Sequence, residues 1–183
     1  MLYTSPPAGL LLTPGASADR DHSTLVAIEQ GLPEICVERL TLGTTSIARA
    51  VAKVVEATEQ LASDLAVSLS DIVIGGRSFG GRACSVASAE GLAVGGLALL
   101  SYPLHPPGKP DKLRVEHFAQ IDVPTLFVSG DRDPFGTPEE FEQHVASIRG
   151  PTALEWVKGS HSPKGNVEAE VVDLVRRYLL GSF

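Results

Sequence analysis

The sequence predicts an α/β fold: about six parallel strands in one sheet, with helices on both faces. Three observations carry that reading. Six short apolar runs alternate with polar or helix-patterned stretches along the chain. From Ile47 to Leu65 apolar residues recur every three or four positions, the period of a long amphipathic helix. The β-branched run Ile72 to Ile74 leads through Gly75-Gly-Arg-Ser-Phe-Gly-Gly-Arg82 into a helical pattern, a sharp strand-to-helix turn.

The elements follow in order. Residues 1–9 are read as extended. Leu10 to Thr13 is a buried strand, and Pro14 to Ala18 opens a loop that continues to His22. Ser23 is positioned to cap a helix from Thr24 to Gln30, stopped by Gly31. Ile35 to Leu40 is the second strand. Gly43 to Ser46 turns the chain into the amphipathic helix. The third strand, Ile72 to Ile74, ends at Gly75 and Gly76, and its helix runs from Arg82 to Ala89. Gly96 to Leu100 is the fourth strand. A proline-rich loop covers 101–112, and a short helix is expected from Leu113 to Phe118. Thr125 to Ser129 is the fifth strand. Thr137, with Pro138 after it and Glu140 three residues on, is a capping box that starts a helix. Ala153 to Val157 is the last strand, and Val167 to Leu180 the closing helix. Residues 101–124 are too few for a separate cap domain.

Composition narrows the classes of function. The 183 residues suit one domain over 1–183, and 43% hydrophobic with 20% charged residues is a globular balance. A net charge of −7 without a basic cluster argues against nucleic acid as a partner. No run of about eighteen apolar residues exists, so no membrane span is expected. The stretch Met1-Leu-Tyr-Thr-Ser-Pro-Pro lacks the basic start of a secretory signal. Cys36 and Cys84 stand far apart in no metal-like spacing and read as reduced thiols of a cytoplasmic protein. No metal-ligand cluster and no dinucleotide or Walker loop is visible, so no metal and no cofactor are expected.

In a parallel sheet, ligands bind beyond the carboxyl ends of the strands. Ser78, Asp131, Asp133 and His161 all fall there. Gly76-Arg77-Ser78-Phe79-Gly80 fits G-x-S-x-G in the strand-to-helix context that gives the pattern meaning. A serine hydroxyl attacks only when a base takes its proton, and the base needs an acceptor to fix its tautomer. The order Ser, Asp, His along the chain supplies all three. Asp133 is favoured over Asp131 as the acid, because it lies one step further into its loop; Asp131 reads equally as a turn residue. His161 is the histidine that directly follows the last strand, whereas His22, His105, His117 and His144 lie on loops or helices. The Phe79 amide opens the third strand's helix and suits a developing oxyanion; the second donor falls in the loop after the first strand, at Ala16. Tyr102, His105 and Lys109 on the proline-rich loop are candidate substrate contacts, the alternative being a rigid connector.

Four stretches together resemble a known group. They are Gly75 to Arg82, Ser101-Tyr-Pro-Leu-His-Pro-Pro-Gly-Lys-Pro110, Gly130-Asp-Arg-Asp-Pro-Phe-Gly136 and His161-Ser162. The chain is similar to small bacterial α/β-hydrolases of the dienelactone-hydrolase-like superfamily, in a subgroup related to the testis-expressed hydrolase-like proteins. That resemblance implies a trimmed α/β-hydrolase fold without the extra N-terminal hairpin and without a cap domain. It implies Ser78 as nucleophile, Asp133 as acid, His161 as base, and the Ala16 and Phe79 amides as oxyanion donors. It further implies a carboxylester or thioester hydrolase acting on a small-molecule acyl substrate. The group's first loop commonly reads His-Gly-Ala-Gly; here it is Pro14-Gly15-Ala16-Ser17, which keeps the backbone donor and changes the loop's packing. Two alternatives stay open: a hydrolase-shaped binding protein without turnover, and acyl transfer to an acceptor other than water.

Overall fold

Successive side chains of the strands point to opposite faces, and here both faces are covered. Leu11, Ile72, Ile74, Leu97, Leu99 and Phe127 pack on one side. Leu10, Leu12, Val73, Ala98, Leu100, Leu126 and Val128 pack on the other. Such strands therefore read as near-continuous apolar runs rather than as alternating ones. The computed structural model describes residues 6–181; the expectation for an extended start falls partly on residues 1–5, outside that range.

The strands are β1 (Gly9–Thr13), β2 (Cys36–Arg39), β3 (Ile72–Arg77), β4 (Gly96–Leu100), β5 (Thr125–Gly130) and β6 (Thr152–Val157). They form one sheet in the order β2-β1-β3-β4-β5-β6, every neighbouring pair parallel. The helices are α1 (Ser23–Gly31), α2 (Ile47–Leu65), α3 (Phe79–Ala89), α4 (Pro138–Val145) and α5 (Asn166–Leu179). Buried residues of α2, α3 and α4 join the first core, those of α1 and α5 the second. The chain leaves β1 outward to β2 and returns to β3 on β1's other side. That reversal opens a crevice beyond the carboxyl ends of β1 and β3, between the loop after Thr13 and the turn at Ser78.

Several elements differ from the sequence reading. The β3 strand runs through Gly75 and Gly76 to Arg77, and α3 begins directly at Phe79. The two glycines do not end the strand; they let it lie against its neighbours. The cap of α1 is His22, whose Nδ1 accepts from the Thr24 amide, and not Ser23, which is helical. The helix expected over 113–118 is absent. The Arg114 amide bonds instead to the Leu104 carbonyl at 2.8 Å, and only a 3₁₀ turn, Phe118–Gln120, follows. The α2 helix spans Ile47–Leu65 as its period predicts and closes on Ala66 in the left-handed conformation. The capping box of α4 is formed: Thr137 Oγ1 accepts from the Glu140 amide, and the Glu140 carboxylate from the Thr137 amide.

Candidate active site

The crevice is built first by close backbone approach. A Cβ added to Gly76 would lie 2.1 Å from Thr13 Oγ1 and 2.3 Å from the Thr13 carbonyl oxygen. One added to Gly80 would lie 2.4 Å from the Pro14 carbonyl oxygen and from Thr13 Oγ1. Only glycine fits between β1 and the start of α3. Between these two residues Ser78 takes φ 51° and ψ −116°, a conformation that costs a non-glycine residue of order 1–3 kcal/mol. The turn is held by the Ser78 amide on the Leu100 carbonyl at 2.8 Å and the Arg82 amide on the Ser78 carbonyl at 3.0 Å. Ser78 Oγ therefore stands at the carboxyl edge of the sheet, part-exposed.

Two neighbouring loops bring the remaining groups. Asp133, in the loop after β5, is almost wholly buried; its Oδ1 also accepts from the Phe135 amide at 2.9 Å. His161, in the loop after β6, places Nδ1 at 2.8 Å from Asp133 Oδ2 and 3.0 Å from Oδ1. Its Nε2 lies 2.9 Å from Ser78 Oγ. An ionised carboxylate only accepts, so Nδ1 carries the proton and Nε2 presents its lone pair to the serine hydroxyl. Phe135 stacks on the imidazole, with ring centroids 4.1 Å apart.

The two competing aspartates are separated by their partners. Asp133 meets the imidazole, and Asp131 Oδ1 accepts from the Gly159 amide at 2.8 Å, bracing the base of the histidine loop. A Cβ on Gly15 would lie 3.8 Å from Ser78 Cβ, so the Pro14–Ala16 loop borders the serine. The amides of Ala16 and Phe79 have no backbone acceptor among the described residues.

The proline-rich loop corrects two expectations. Tyr102 is fully buried, its ring packed against Phe118 and Phe127 and its hydroxyl donating to the Arg114 carbonyl at 2.8 Å. It is a core residue with no face left for substrate, and burial pushes its phenol well above the ordinary range. His105 is buried as well, enclosed by the Pro106 carbonyl at 2.9 Å and Glu140 at 3.3 Å. The loop folds inward because its aromatic and imidazole rings find partners there, so these two side chains are not substrate contacts. Lys109 stays exposed at the loop's outer end.

Sequence reasoning passed over Arg77 as a structural residue. It is buried at 8% exposure, and its Nη2 donates to the His161 carbonyl at 2.6 Å and to Ser162 Oγ. Burial lowers its pKa, and the nearby charge of Asp133 opposes that shift. Strand alternation held the signal, since Arg77 shares the face of Val73 and Gly75 and points under the loops after β5 and β6.

Among the described residues no cluster of three His, Cys, Asp or Glu side chains is arranged for a metal ion, and no helix is long and apolar enough to cross a membrane. A cavity of about 340 Å³ lies at the far end of α3, lined by Val51, Val55, Leu69, Glu90 and Leu92 among others, away from Ser78. Cys84 is buried against Thr13 and the Gly75 carbonyl, and burial pushes its thiol up to about 12. It stays protonated and inert; Cys36 is exposed.

Comparison with known proteins agrees with this architecture. A dienelactone hydrolase from Anabaena variabilis superposes with a TM-score of 0.79 at 19% identity, over 97% of this chain and 88% of that one. Est1E from Butyrivibrio proteoclasticus, in a structure with ferulic acid bound, gives 0.75 at 19% identity, over 99% and 92%. An acetyl xylan esterase from Paenibacillus sp. R4 gives 0.71 at 13% identity, over 96% and 77%. At such identities these likenesses concern the fold. The alpha/beta hydrolase domain family matches residues 6–172, nearly the whole chain. With that match and the six-stranded parallel sheet behind it, the chain belongs to the alpha/beta hydrolase domain family and is, by that membership, a hydrolase.

Proposed function

We propose that the chain is a serine hydrolase that cleaves carboxylesters or thioesters of small-molecule acyl substrates through an acyl-enzyme. One observation carries the reading: the unbroken line of contacts from Ser78 Oγ through His161 to the buried Asp133 carboxylate.

The steps follow from the donors and acceptors. His161 Nε2 takes the Ser78 proton as Oγ bonds to the acyl carbon. The carbonyl electron pair moves onto oxygen, facing the amides of Phe79 and Ala16. A preorganised donor of this kind is worth about 10²–10³ in rate. Collapse breaks the bond to the leaving alcohol or thiol, which takes the proton from Nε2. Water then repeats the sequence: its proton goes to His161, its oxygen to the acyl carbon, and Ser78 regains its proton as the acid leaves. Asp133 holds the Nδ1 tautomer and balances the imidazolium charge in both halves. No metal or cofactor enters the sequence of steps.

Covalent labelling with a fluorophosphonate tests the assignment. The expected result is one adduct, mapped to Ser78 by mass spectrometry, on wild type and none on Ser78→Ala or His161→Ala. Labelling that persists in Ser78→Ala, or a folded wild type that takes no label, overturns it. Acetyl and hydroxycinnamoyl esters are a reasoned first substrate panel, because proteins of this fold include an acetyl xylan esterase and one seen with ferulic acid bound.

A further inference from the structure

A buried guanidinium that touches no carboxylate is costly, because removing an ion from water costs several kcal/mol unless other groups replace the lost hydration. Arg77 is such a group. Among the described residues it forms no ion pair with a carboxylate, and its buried Nε has no hydrogen-bond partner. The bonds it does make go to one place, the His161 carbonyl and the Ser162 hydroxyl. Its Nη1 would lie 3.4 Å from a Cβ on Gly15, so it also lies under the loop that borders Ser78.

The other ties of the histidine loop to the sheet lie at its base, at Gly159 and Ser160. From Lys158 to Gly165 it is largely exposed and has no regular structure, with positive φ at Gly159 (136°) and Gly165 (60°). Its other anchors are the Asp131 carboxylate and the Arg132 amide on Gly159, the close seat of the Gly159 and Ser160 carbonyls on Gly130, and the Asp133, Ser78 and Phe135 contacts of the imidazole itself. Asp131 acts two residues before His161. Arg77 acts on the backbone of His161 itself.

We propose that Arg77 is a positioning residue: its guanidinium, donating from Nη2 to both the His161 carbonyl and Ser162 Oγ, holds the histidine loop down on β3 so that the imidazole stays between Asp133 and Ser78. Arg77 immediately precedes Ser78 in sequence. One strand end therefore sets the nucleophile through its backbone and the base through its side chain. The inference rests on the triad reading above.

The test combines three readouts on purified wild type, Arg77→Met, Arg77→Lys and Arg77→Ala. These are the rate of fluorophosphonate labelling at Ser78, thermal stability, and the low-field proton resonance of His161 Nδ1–H, assigned by its loss in His161→Gln. In folded Arg77→Met, labelling is expected to slow about 100-fold, the scale of a misplacement near 1 Å, and the low-field resonance to broaden or move. Arg77→Lys keeps the charge but not the reach of the planar guanidinium and is expected to recover only part of the rate. Millimolar guanidinium added to Arg77→Ala is expected to restore labelling, which loss of stability alone does not predict. A folded Arg77→Met that labels at the wild-type rate with an unmoved resonance overturns the proposal. So does a folded Arg77→Ala that guanidinium leaves slow. A wild type that shows the resonance but takes no label removes the nucleophile assignment, while the resonance in the Arg77 variants still reports whether Arg77 holds the loop.

Discussion

The turn at Ser78 and the loop at His161 face each other across 2.9 Å, yet they are held in opposite ways. The turn is fixed by backbone against backbone: Gly76 and Gly80 lie so close to Thr13 and Pro14 that a single Cβ has no room. The loop is seated on backbone only at its base, at Gly130 and the Arg132 amide, and His161 itself is placed by side chains: Asp133 and Ser78 on its imidazole, Phe135 on the ring face, Arg77 on its carbonyl. A steric position is over-determined and fails by unfolding. A tethered position fails by losing its geometry while the fold survives. The first kind of site strains one residue and spends many; the second depends on a few polar groups that a single substitution removes.

The largest effect separates the two directly. Asp133→Asn is expected to lower kcat about 10⁴-fold, by presenting the wrong partner to Nδ1, with little change in melting temperature. Steady-state kinetics beside a thermal melt read both, and a melting loss that matches the activity loss would break the distinction. The converse comes from Gly80→Ala. The added methyl meets the Pro14 carbonyl and Thr13 Oγ1 at 2.4 Å, and overpacking on this scale costs about 3 kcal/mol. Urea denaturation should show the lower midpoint, and an unchanged midpoint would mean that the turn is looser than its contacts indicate.

The smallest effect concerns the buttress behind α3. His117 Nε2 lies 2.8 Å from Ser85 Oγ on α3. Burial, with the charge of Arg82 adding to it, lowers the His117 pKa from 6.5 to about 4. Between these values the unfolded chain binds a proton that the folded chain does not. Stability is therefore full above about pH 6.5 and is lost as pH falls toward 4, by on the order of 2 kcal/mol for a part-exposed ring. Urea titrations at pH 4.5 and 7.5 should show that slope, and His117→Gln should flatten it. A slope unchanged in that variant would place the titrating group elsewhere.

Much of this was legible in the sequence, and the illegible parts share a cause. The strands, the long α2 period, the α4 capping box and the glycines around Ser78 are local patterns, set by neighbours in the chain. The pairing of Asp133 and not Asp131 with His161 could be argued from loop position alone. Tyr102 and His105 could not be placed, because a proline-rich loop reads as a rim whether it lies outward or folds into the core. Here the rings of Phe118 and Phe127 and the carboxylate of Glu140 draw it in. The expected helix over 113–118 gave way to a tertiary backbone bond from Arg114 to Leu104. Arg77 went unread as a structural residue because its partners lie 84 and 85 residues away.

The strand order has a consequence for how the protein comes to be. The β1 strand sits inside the sheet, and its register with β3 joins Gly9 to Ile72 and Thr13 to Gly76. The groups around Ser78 come from four separated stretches, near residues 14, 78, 133 and 161, and no fragment shorter than most of the chain contains them. The growing polypeptide therefore carries no partial version of this chemistry. Loop-closure entropy must be overcome before such distant pairings return anything. On the proposed mechanism a chain stalled before His161 leaves Ser78 as an ordinary hydroxyl, so a labelled Ser78 reports that the chain from residue 14 to 161 has been made and assembled.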